Sequence, residues 1–172
     1  MSMVWIASGS NVSGILRFSN IPQTFTHLQL RVFLRSTNAG TQDFLFMRPN
    51  NETTNILVSH GLYGNGSTAI SDYISARDYA WLTDVPGGNA TANVFGTSII
   101  DILDYRDTNK NKTIRAIGGY DANGSGTAKL SSSVWLSTTA ITTLDCSSAN
   151  AAFAAGSRID LYGITTSQVT GA

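Results

Sequence analysis

The chain has 172 residues, with eleven basic and eleven acidic side chains and no formal net charge. That balance argues against a nucleic-acid-binding protein, because affinity for phosphates comes largely from an excess of Lys and Arg. No apolar run approaches the ~18 residues of a membrane-spanning helix, and residues 1–8 lack the basic residue and the long apolar stretch of a secretory signal. We therefore expect neither nucleic acid nor a membrane among the partners of this protein.

The composition favours β-structure over helices. Charged residues make up 13% of the chain, and they include only one Glu and three Lys. Glu and Lys are the residues that usually fill exposed helix faces. Ser, Thr and Asn together account for 53 residues, and these residue types are common on strand faces and in turns. The composition therefore predicts an all-β protein with polar loops.

Short stretches of alternating apolar and polar residues, separated by turn residues, predict eight or nine strands. In chain order these cover 14–18 (the weakest), 27–36, 43–48, 56–59, 97–105, 113–118, 128–136, 140–144 and 158–164. The stretch 43–48 is apolar on both faces, which predicts a central strand covered on each side. Strands of this length and spacing are typical of an antiparallel two-sheet β-sandwich, and a jelly roll is the arrangement we expect.

Two segments have features of short helices, and the ends of the chain have no strand pattern. Residues 70–82 place apolar side chains near one helical face, and residues 148–155 are rich in Ala and are followed by a Gly. We predict one domain over 1–172, with an extended N-terminal arm at 1–14 and a flexible C-terminal tail at 165–172.

A glycine-rich segment, G-N-G-S-T-A at 64–69, fits the pattern of a dinucleotide-binding turn. Such a site also needs a following parallel strand that ends in an acidic residue. The sequence continues instead into the loop 83–88. The segment is therefore interpreted as a glycine turn, and no cofactor is predicted.

The segment 107–111 resembles the alternating oxygen ligands of a calcium-binding loop. Lys110 and Lys112 add positive charge where the ion would bind, which favours a simple hairpin turn. Asp101 and Asp104 could supply further oxygen ligands, so a loose surface calcium site is the alternative.

Residues suited to nucleophilic catalysis are few. The chain has two histidines, His27 and His60, and one cysteine, Cys146. Neither histidine has a metal-binding spacing, and no G-x-S-x-G motif is present. The sequence therefore predicts structural roles for all three residues and no enzymatic activity. Acid–base catalysis by paired carboxylates is the alternative, since such pairing depends on how the chain folds.

Several aromatic and apolar residues lie in polar, glycine-rich or terminal stretches. They are Trp5, Ile6, Tyr63, Trp81 and Tyr120. Exposed aromatic residues suit a protein–protein interface or a sugar-stacking surface. These five are the candidate interface residues, and the alternative is that their loops fold back onto the sandwich.

The C-terminal third carries a specific pattern, F-x-x-G-S-x-x-x-L-Y-G-I at 153–164, preceded by a strand with W and T-A-I-T at 135–142. Weaker similarities occur at 25–36, 102–105 and 109–113. In these features the chain resembles a loosely defined group of tailed-bacteriophage virion structural proteins, including capsid decoration and tail-associated jelly-roll proteins.

The resemblance implies a non-enzymatic protein of the phage particle, located in the virion and assembled in the host cytoplasm. The favoured role is a capsid decoration (cement) protein, a homotrimer that binds the major capsid protein or other virion proteins and stabilises the shell. The alternative is a tail-tip or fibre domain that binds a receptor on the host surface. A carbohydrate-binding module or an enzyme is a third and less favoured hypothesis.

Overall fold

The regular secondary structure of the described residues consists of β-strands. The computed structural model describes residues 2–10 and 14–166, and they form twelve strands. The strands are β1 (Ser2–Ser10), β2 (Leu16–Phe18), β3 (His27–Leu34), β4 (Gln42–Pro49), β5 (Leu57–Gly64), β6 (Ala69–Arg77), β7 (Ala80–Pro86), β8 (Gly96–Leu103), β9 (Lys112–Asp121), β10 (Gly126–Trp135), β11 (Leu144–Ser148) and β12 (Arg158–Thr165). All of the pairings between these strands are antiparallel. None of the described residues belongs to a helix long and apolar enough to cross a bilayer.

Eight of the strands follow the path of a jelly roll. In one sheet β1, β12, β3 and β8 lie side by side, and the second sheet has the order β2-β11-β4-β7. The first strand therefore pairs with the last, and the second pairs with the one before the last, which is the wrapping that defines this double-sheet fold. The predicted antiparallel two-sheet β-sandwich of jelly-roll type is confirmed.

Two hairpins widen the first sheet beyond the jelly roll. The hairpin β5–β6 is inserted between β4 and β7, and the hairpin β9–β10 is inserted between β8 and β11. The hairpin β9–β10 pairs with β8, and the hairpin β5–β6 pairs with β10. The sheet therefore continues as β8-β9-β10-β5-β6 and has eight strands. An eight-stranded sheet therefore faces a four-stranded one.

One hydrophobic core lies between the two sheets. Its side chains come from alternate positions of the strands, as the burial of Leu28, Leu30, Val32 and Leu34 in β3 illustrates. The period of two places every second residue on the inner face. The strand predicted at 27–36 is thus present as β3 over His27–Leu34.

Both predicted helices are wrong. Residues 70–82 form β6 and the start of β7, and in β6 the half-buried residues alternate with exposed ones at a period of two. In the second segment, residues 148–155, backbone donors bond to distant parts of the chain. The Ala149 N–H donates to Phe44 O of β4 at 3.0 Å, and the Ala154 N–H donates to Arg35 O, just after β3, at 2.7 Å. These long-range bonds replace the i→i−4 bonds that a helix would need.

The N-terminal segment and one predicted strand also differ from expectation. Ser2–Ser10, expected to be part of an extended arm, forms edge strand β1 along β12. The strand predicted at 140–144 instead runs over Leu144–Ser148, where Asp145 pairs with Arg17 of β2 at 2.6 Å. Of the predicted tail at 165–172, β12 includes Thr165, and 167–172 lie outside the described residues.

A buried arginine holds the long loop between β7 and β8. Arg35 is 9% exposed. Its Nη1 donates to the carbonyl oxygens of Thr91 (2.7 Å) and Val94 (2.9 Å). Its Nη2 donates to those of Gly88 (3.0 Å) and Ala90 (2.8 Å). One planar guanidinium thus satisfies four carbonyl groups of a segment that forms no strand.

Replacing this arginine should destabilise the fold. In Arg35→Met the four carbonyl groups lose a charged donor, and we expect the free energy of unfolding to fall by about 3 kcal/mol. Chemical denaturation of purified protein measures the change. The control is Arg77→Met at an exposed position of β6, expected to change stability by less than about 0.5 kcal/mol. Equal denaturation midpoints for the two variants would contradict this role for Arg35.

Candidate assembly surface

Four large apolar side chains form a continuous line across the outer face of the eight-stranded sheet. Ile99, Ile117, Leu130 and Leu62 lie on the neighbouring strands β8, β9, β10 and β5, and each is the direct cross-strand partner of the next. They are 42%, 62%, 46% and 55% exposed, respectively. We call these four residues the apolar row. Contiguous exposed apolar surface on a folded protein commonly marks an interaction site.

A polar row borders the apolar row on one side. Asp101, Arg115, Ser132, His60 and Tyr73 follow one another in register on β8, β9, β10, β5 and β6. Arg115 and Asp101 form an ion pair at 3.3 Å, and the rings of His60 and Tyr73 pack with centroids 4.6 Å apart. The charges of this border are therefore largely paired within the sheet.

A trough floored by small residues borders the apolar row on the other side. Thr97, Gly119, Ala128 and Gly64 form the next register row, and a cavity of about 660 Å³ opens above them. A side chain at Gly119 would collide with the carbonyl oxygen of Thr127, and its φ of +152° also favours glycine. The outer face thus has a raised apolar line between a polar margin and a depression.

This arrangement has the composition of a binding surface. Interfaces between proteins combine a core of large apolar side chains with a polar margin that stays in contact with water. A depression beside the apolar row adds shape that a partner can fill. The apolar row, the polar margin and the depression together suit association with a partner.

The candidate interface residues at the N-terminus lie at the opposite edge of the same sheet. Trp5 is 58% exposed on β1, and its Nε1 donates to Ser8 Oγ at 2.9 Å. Ile6, the next residue, is half-buried and packs against the core. Trp5 therefore lies on an exposed surface as the sequence suggested, six strands away from β5.

The other three candidate residues are half-buried. Tyr63 of β5 and Trp81 of β7 pack around the ammonium group of Lys129. Tyr120 of β9 has its hydroxyl 3.5 Å from Thr41 O, and burial together with the nearby carboxylate of Asp84 raises the pKa of this tyrosine. The structure thus does not bring the five candidates to one surface, and it places two of them against an interior charge.

That interior charge lies between two carboxylates. The side chain of Lys129 is 1% exposed; its Nζ is 2.9 Å from Asp72 Oδ2 and 3.6 Å from Asp84 Oδ1. The Trp81 ring centroid is 3.7 Å from Nζ, and that of Tyr63 is 5.3 Å away. We call these five residues the Lys129 cluster. Cation–π contacts and ion pairs together compensate the burial of the ammonium group.

Asp84 has a buried carboxyl oxygen that makes no hydrogen bond at normal distance. Its side chain is 2% exposed, and its Oδ1 has no hydrogen-bond partner; nor does the Nε1 of Trp81. Burial raises the pKa of the Asp84 carboxyl, although the charge of Lys129 acts in the opposite direction. Among the two carboxyl groups of the cluster, Asp84 is therefore the one whose protonation burial favours.

The two sequence motifs with ligand-like spacing are turns. In the segment 64–69, Asn65 Oδ1 accepts hydrogen bonds from the backbone N–H groups of Ser67 (3.0 Å) and Thr68 (2.9 Å), within the β5–β6 hairpin. A dinucleotide site needs a helix at this point, and β6 follows instead. The interpretation of this segment as a glycine turn is confirmed.

Two lysine ammonium groups lie among the oxygen atoms of the loop before β9. Lys110 Nζ lies 2.9 Å from Asp104 Oδ2 and 3.3 Å from Asp107 Oδ2. The buried Lys112 Nζ donates to the carbonyl oxygens of Asp107, Lys110 and Thr138 at 2.5–3.0 Å. Within residues 2–10 and 14–166, no three His, Cys, Asp or Glu side chains are grouped to hold a metal ion. Ammonium groups thus take the oxygen contacts that a cation would need.

The histidines and the cysteine lie on three different strands. His27 Nδ1 of β3 accepts from the backbone N–H of Asp104 at 3.0 Å, and His60 of β5 packs on Tyr73. Cys146 is buried in β11, where loss of hydration raises the pKa of its thiol to about 12. A thiol with this pKa stays protonated at neutral pH and is a weak nucleophile.

Cys146 should therefore be protected from thiol reagents in the folded protein. We expect negligible alkylation by iodoacetamide at pH 8 under native conditions and complete alkylation in denaturant, measured by whole-protein mass spectrometry. The reason is twofold: the reagent cannot reach the side chain, and the reactive thiolate is scarce. Rapid native labelling would show that β11 opens readily.

Similarity to other proteins does not extend these observations. Comparisons with protein-family models, curated proteins and solved structures found no match. The function of this chain is therefore inferred from its own residues, its fold and the exposed surface of its wide sheet.

Proposed function

We propose that this chain is a non-enzymatic structural protein of a phage particle, and specifically a decoration protein that binds the capsid shell through the outer face of its eight-stranded sheet. The sequence resemblance to tailed-phage virion proteins suggests the particle. The observation that carries the binding role is the apolar row, since it gives the widest face of the protein a surface suited to association.

The exposed area of the apolar row supports binding of moderate strength. Each of its side chains is about half exposed. Burying the exposed half against a partner contributes on the order of 1 kcal/mol per side chain. Part of that gain is offset by the lost freedom of the partners. A single row therefore favours weak attachment.

A homotrimer would compensate for that weakness. Three linked copies present three rows, and once the first is bound the other two bind at a high effective concentration. We therefore propose the trimer as the binding form. In that form the decoration protein stabilises the shell by linking several capsid subunits.

The charge distribution favours contact through apolar surface and shape. The chain carries no net charge, and Arg115 and Asp101 beside the apolar row already pair with each other. Attachment to the shell should therefore depend little on ionic strength, because few unpaired charges are available to be screened.

A charge placed in the apolar row should weaken attachment. In Ile117→Asp a carboxylate replaces the most exposed side chain of the row, and we expect at least a tenfold loss of affinity for purified shells because the carboxylate is desolvated on binding. Co-sedimentation with shells measures the affinity. The matched control is Ile15→Asp, a similarly exposed isoleucine (51%) outside the strands of this sheet. Equal losses for both variants would contradict the assignment of this face.

The location in the particle is tested directly with gold-labelled antibodies on intact virions. Label distributed over the shell supports a decoration protein, and particles that lack the protein should then break at a lower temperature. Label confined to the tail would overturn the decoration role in favour of the receptor-binding alternative, which in turn predicts adhesion of the purified protein to host cells.

A further inference from the structure

The Lys129 cluster holds an amine and a carboxyl group in direct contact in the protein interior. Lys129 Nζ on β10 lies 2.9 Å from Asp72 Oδ2 on β6, and the two side chains are 1% and 19% exposed. A third group, the carboxyl of Asp84, is 3.6 Å from the same nitrogen and 2% exposed. Most lysine–aspartate pairs lie in water and separate freely; this one is fixed by its surroundings.

A glycine in the strand between them makes the contact feasible. Gly61 of β5 is the cross-strand partner of Asp72. A Cβ atom at Gly61 would collide with Asp72 Oδ1 and lie 3.1 Å from Lys129 Cε. Glycine weakens a strand and is retained where another group must approach closely. Here the group that approaches is the Lys129–Asp72 pair.

We propose that Lys129 and Asp72 join spontaneously through an intramolecular amide (isopeptide) bond, with Asp84 carrying the proton between the reacting groups. The bond links β10 to β6 across β5. This inference is independent of the proposed role in a phage particle, because it depends only on groups inside a single chain.

The reaction is a condensation and needs no oxidant, reductant or cofactor. Transfer of one proton from the Lys129 ammonium to the Asp72 carboxylate gives an amine and a carboxylic acid. The lone pair of Nζ then attacks Asp72 Cγ, and a C–N bond forms. Loss of a proton from nitrogen and of hydroxide from Cγ gives the amide and one molecule of water. Holding the two groups in contact replaces an encounter in solution, which is the largest obstacle to such a reaction.

Asp84 is suited to the proton transfer. Its Oδ1 lies 3.6 Å from the reacting nitrogen and makes no hydrogen bond at normal distance. The side chains of Lys129 and Thr127 are the polar groups that act on this carboxyl. Burial raises the pKa of its carboxyl, which favours a neutral acid able to protonate the departing hydroxyl group. The same carboxylate, once formed, can accept the proton that nitrogen releases.

The aromatic walls protect the product. The ring of Trp81 lies 3.7 Å from Nζ, and that of Tyr63 lies 5.3 Å away. Exclusion of water slows hydrolysis of the amide. Amide formation also removes a buried charge pair, whose desolvation is costly. The bond further fixes β6, an edge strand whose side chains are mostly exposed, to the interior of the sheet.

Whole-protein mass spectrometry of the purified, folded chain tests the proposal. We expect a mass lower than the sequence mass by one water, retained after denaturation. Digestion with trypsin should then yield a branched peptide that joins the β6 and β10 segments at Asp72 and Lys129. A folded protein with the full sequence mass after prolonged incubation at neutral pH would overturn the proposal. A water loss that fragmentation places at a succinimide would overturn it as well.

Variants assign the bond to this pair. Lys129→Arg keeps the positive charge without the reactive amine, and it should have the full sequence mass. The matched control is Lys110→Arg: Lys110 also lies 2.9 Å from a carboxylate, that of Asp104, but is 60% exposed. That variant should still lose one water. Loss of water in Lys129→Arg would contradict the assignment of the bond to Lys129. If that variant does not fold, the residues joined in the branched peptide of the wild-type chain show whether the bond links Lys129 to Asp72.

Asp84→Asn tests the proton carrier separately. The amide side chain has nearly the same size but cannot act as an acid or a base, and circular dichroism establishes whether the variant is folded. We expect the rate of water loss in the folded variant to fall at least a hundredfold, in line with the usual contribution of acid–base catalysis. Condensation at the wild-type rate would overturn the role of Asp84. If the variant does not fold, Asp84→Glu replaces it, since glutamate keeps an acidic group. We expect the cross-linked mass in folded Asp84→Glu, and the full sequence mass there would contradict the role of Asp84.

Discussion

The unequal width of the two sheets is the constraint on which the rest of the structure depends. Eight jelly-roll strands would give two matched sheets of four, and the inserted hairpins β5–β6 and β9–β10 add four strands to only one of them. The narrow sheet ends at β7, which packs against β10 and β9. The strands β5 and β6 continue past it. The backbone groups at the edge of β7 therefore need hydrogen-bond partners, and the hairpin β5–β6 beyond that edge needs contacts that hold it in place. Polar side chains supply both.

Serine side chains of the wide sheet close the edge of β7. Ser131 Oγ donates to Leu82 O at 2.6 Å, and the backbone N–H of Trp81 donates to Ser59 Oγ at 3.1 Å. Ser133 completes the set through a 2.7 Å contact with Ser59. Backbone groups at the edge of a sheet otherwise need water or another chain as a partner. Small hydroxyl side chains let β7 approach β10 closely. Next to them the longer side chain of Lys129 contacts both Asp84 of β7 and Asp72 of β6.

Local patterns predicted the fold and missed the features that arise between strands. The alternation in β3 and the composition were sufficient for an antiparallel sandwich, since both are properties of single segments. The apolar row was not predictable, because the outward positions of Ile117 and Leu130 are conspicuous only once the register of neighbouring strands is known. Tyr63 and Trp81 have polar neighbours in the sequence, and this pattern predicts exposed interface residues. They instead pack on Lys129, more than 40 residues further along the chain. A local sequence pattern cannot predict such a long-range contact.

The Lys129 cluster and the apolar row are two faces of the same strands. Leu130 follows Lys129 in β10, and Leu62 precedes Tyr63 in β5, so that each pair of neighbours places one side chain inside and one outside. Interior contacts that hold β10, β5 and β6 together therefore fix the spacing of the exposed apolar side chains on the outer face. Rigid surfaces lose less conformational entropy on binding than flexible ones. The Lys129 cluster beneath the apolar row is thus a physical means of preorganising the proposed binding face, whose contact area is small.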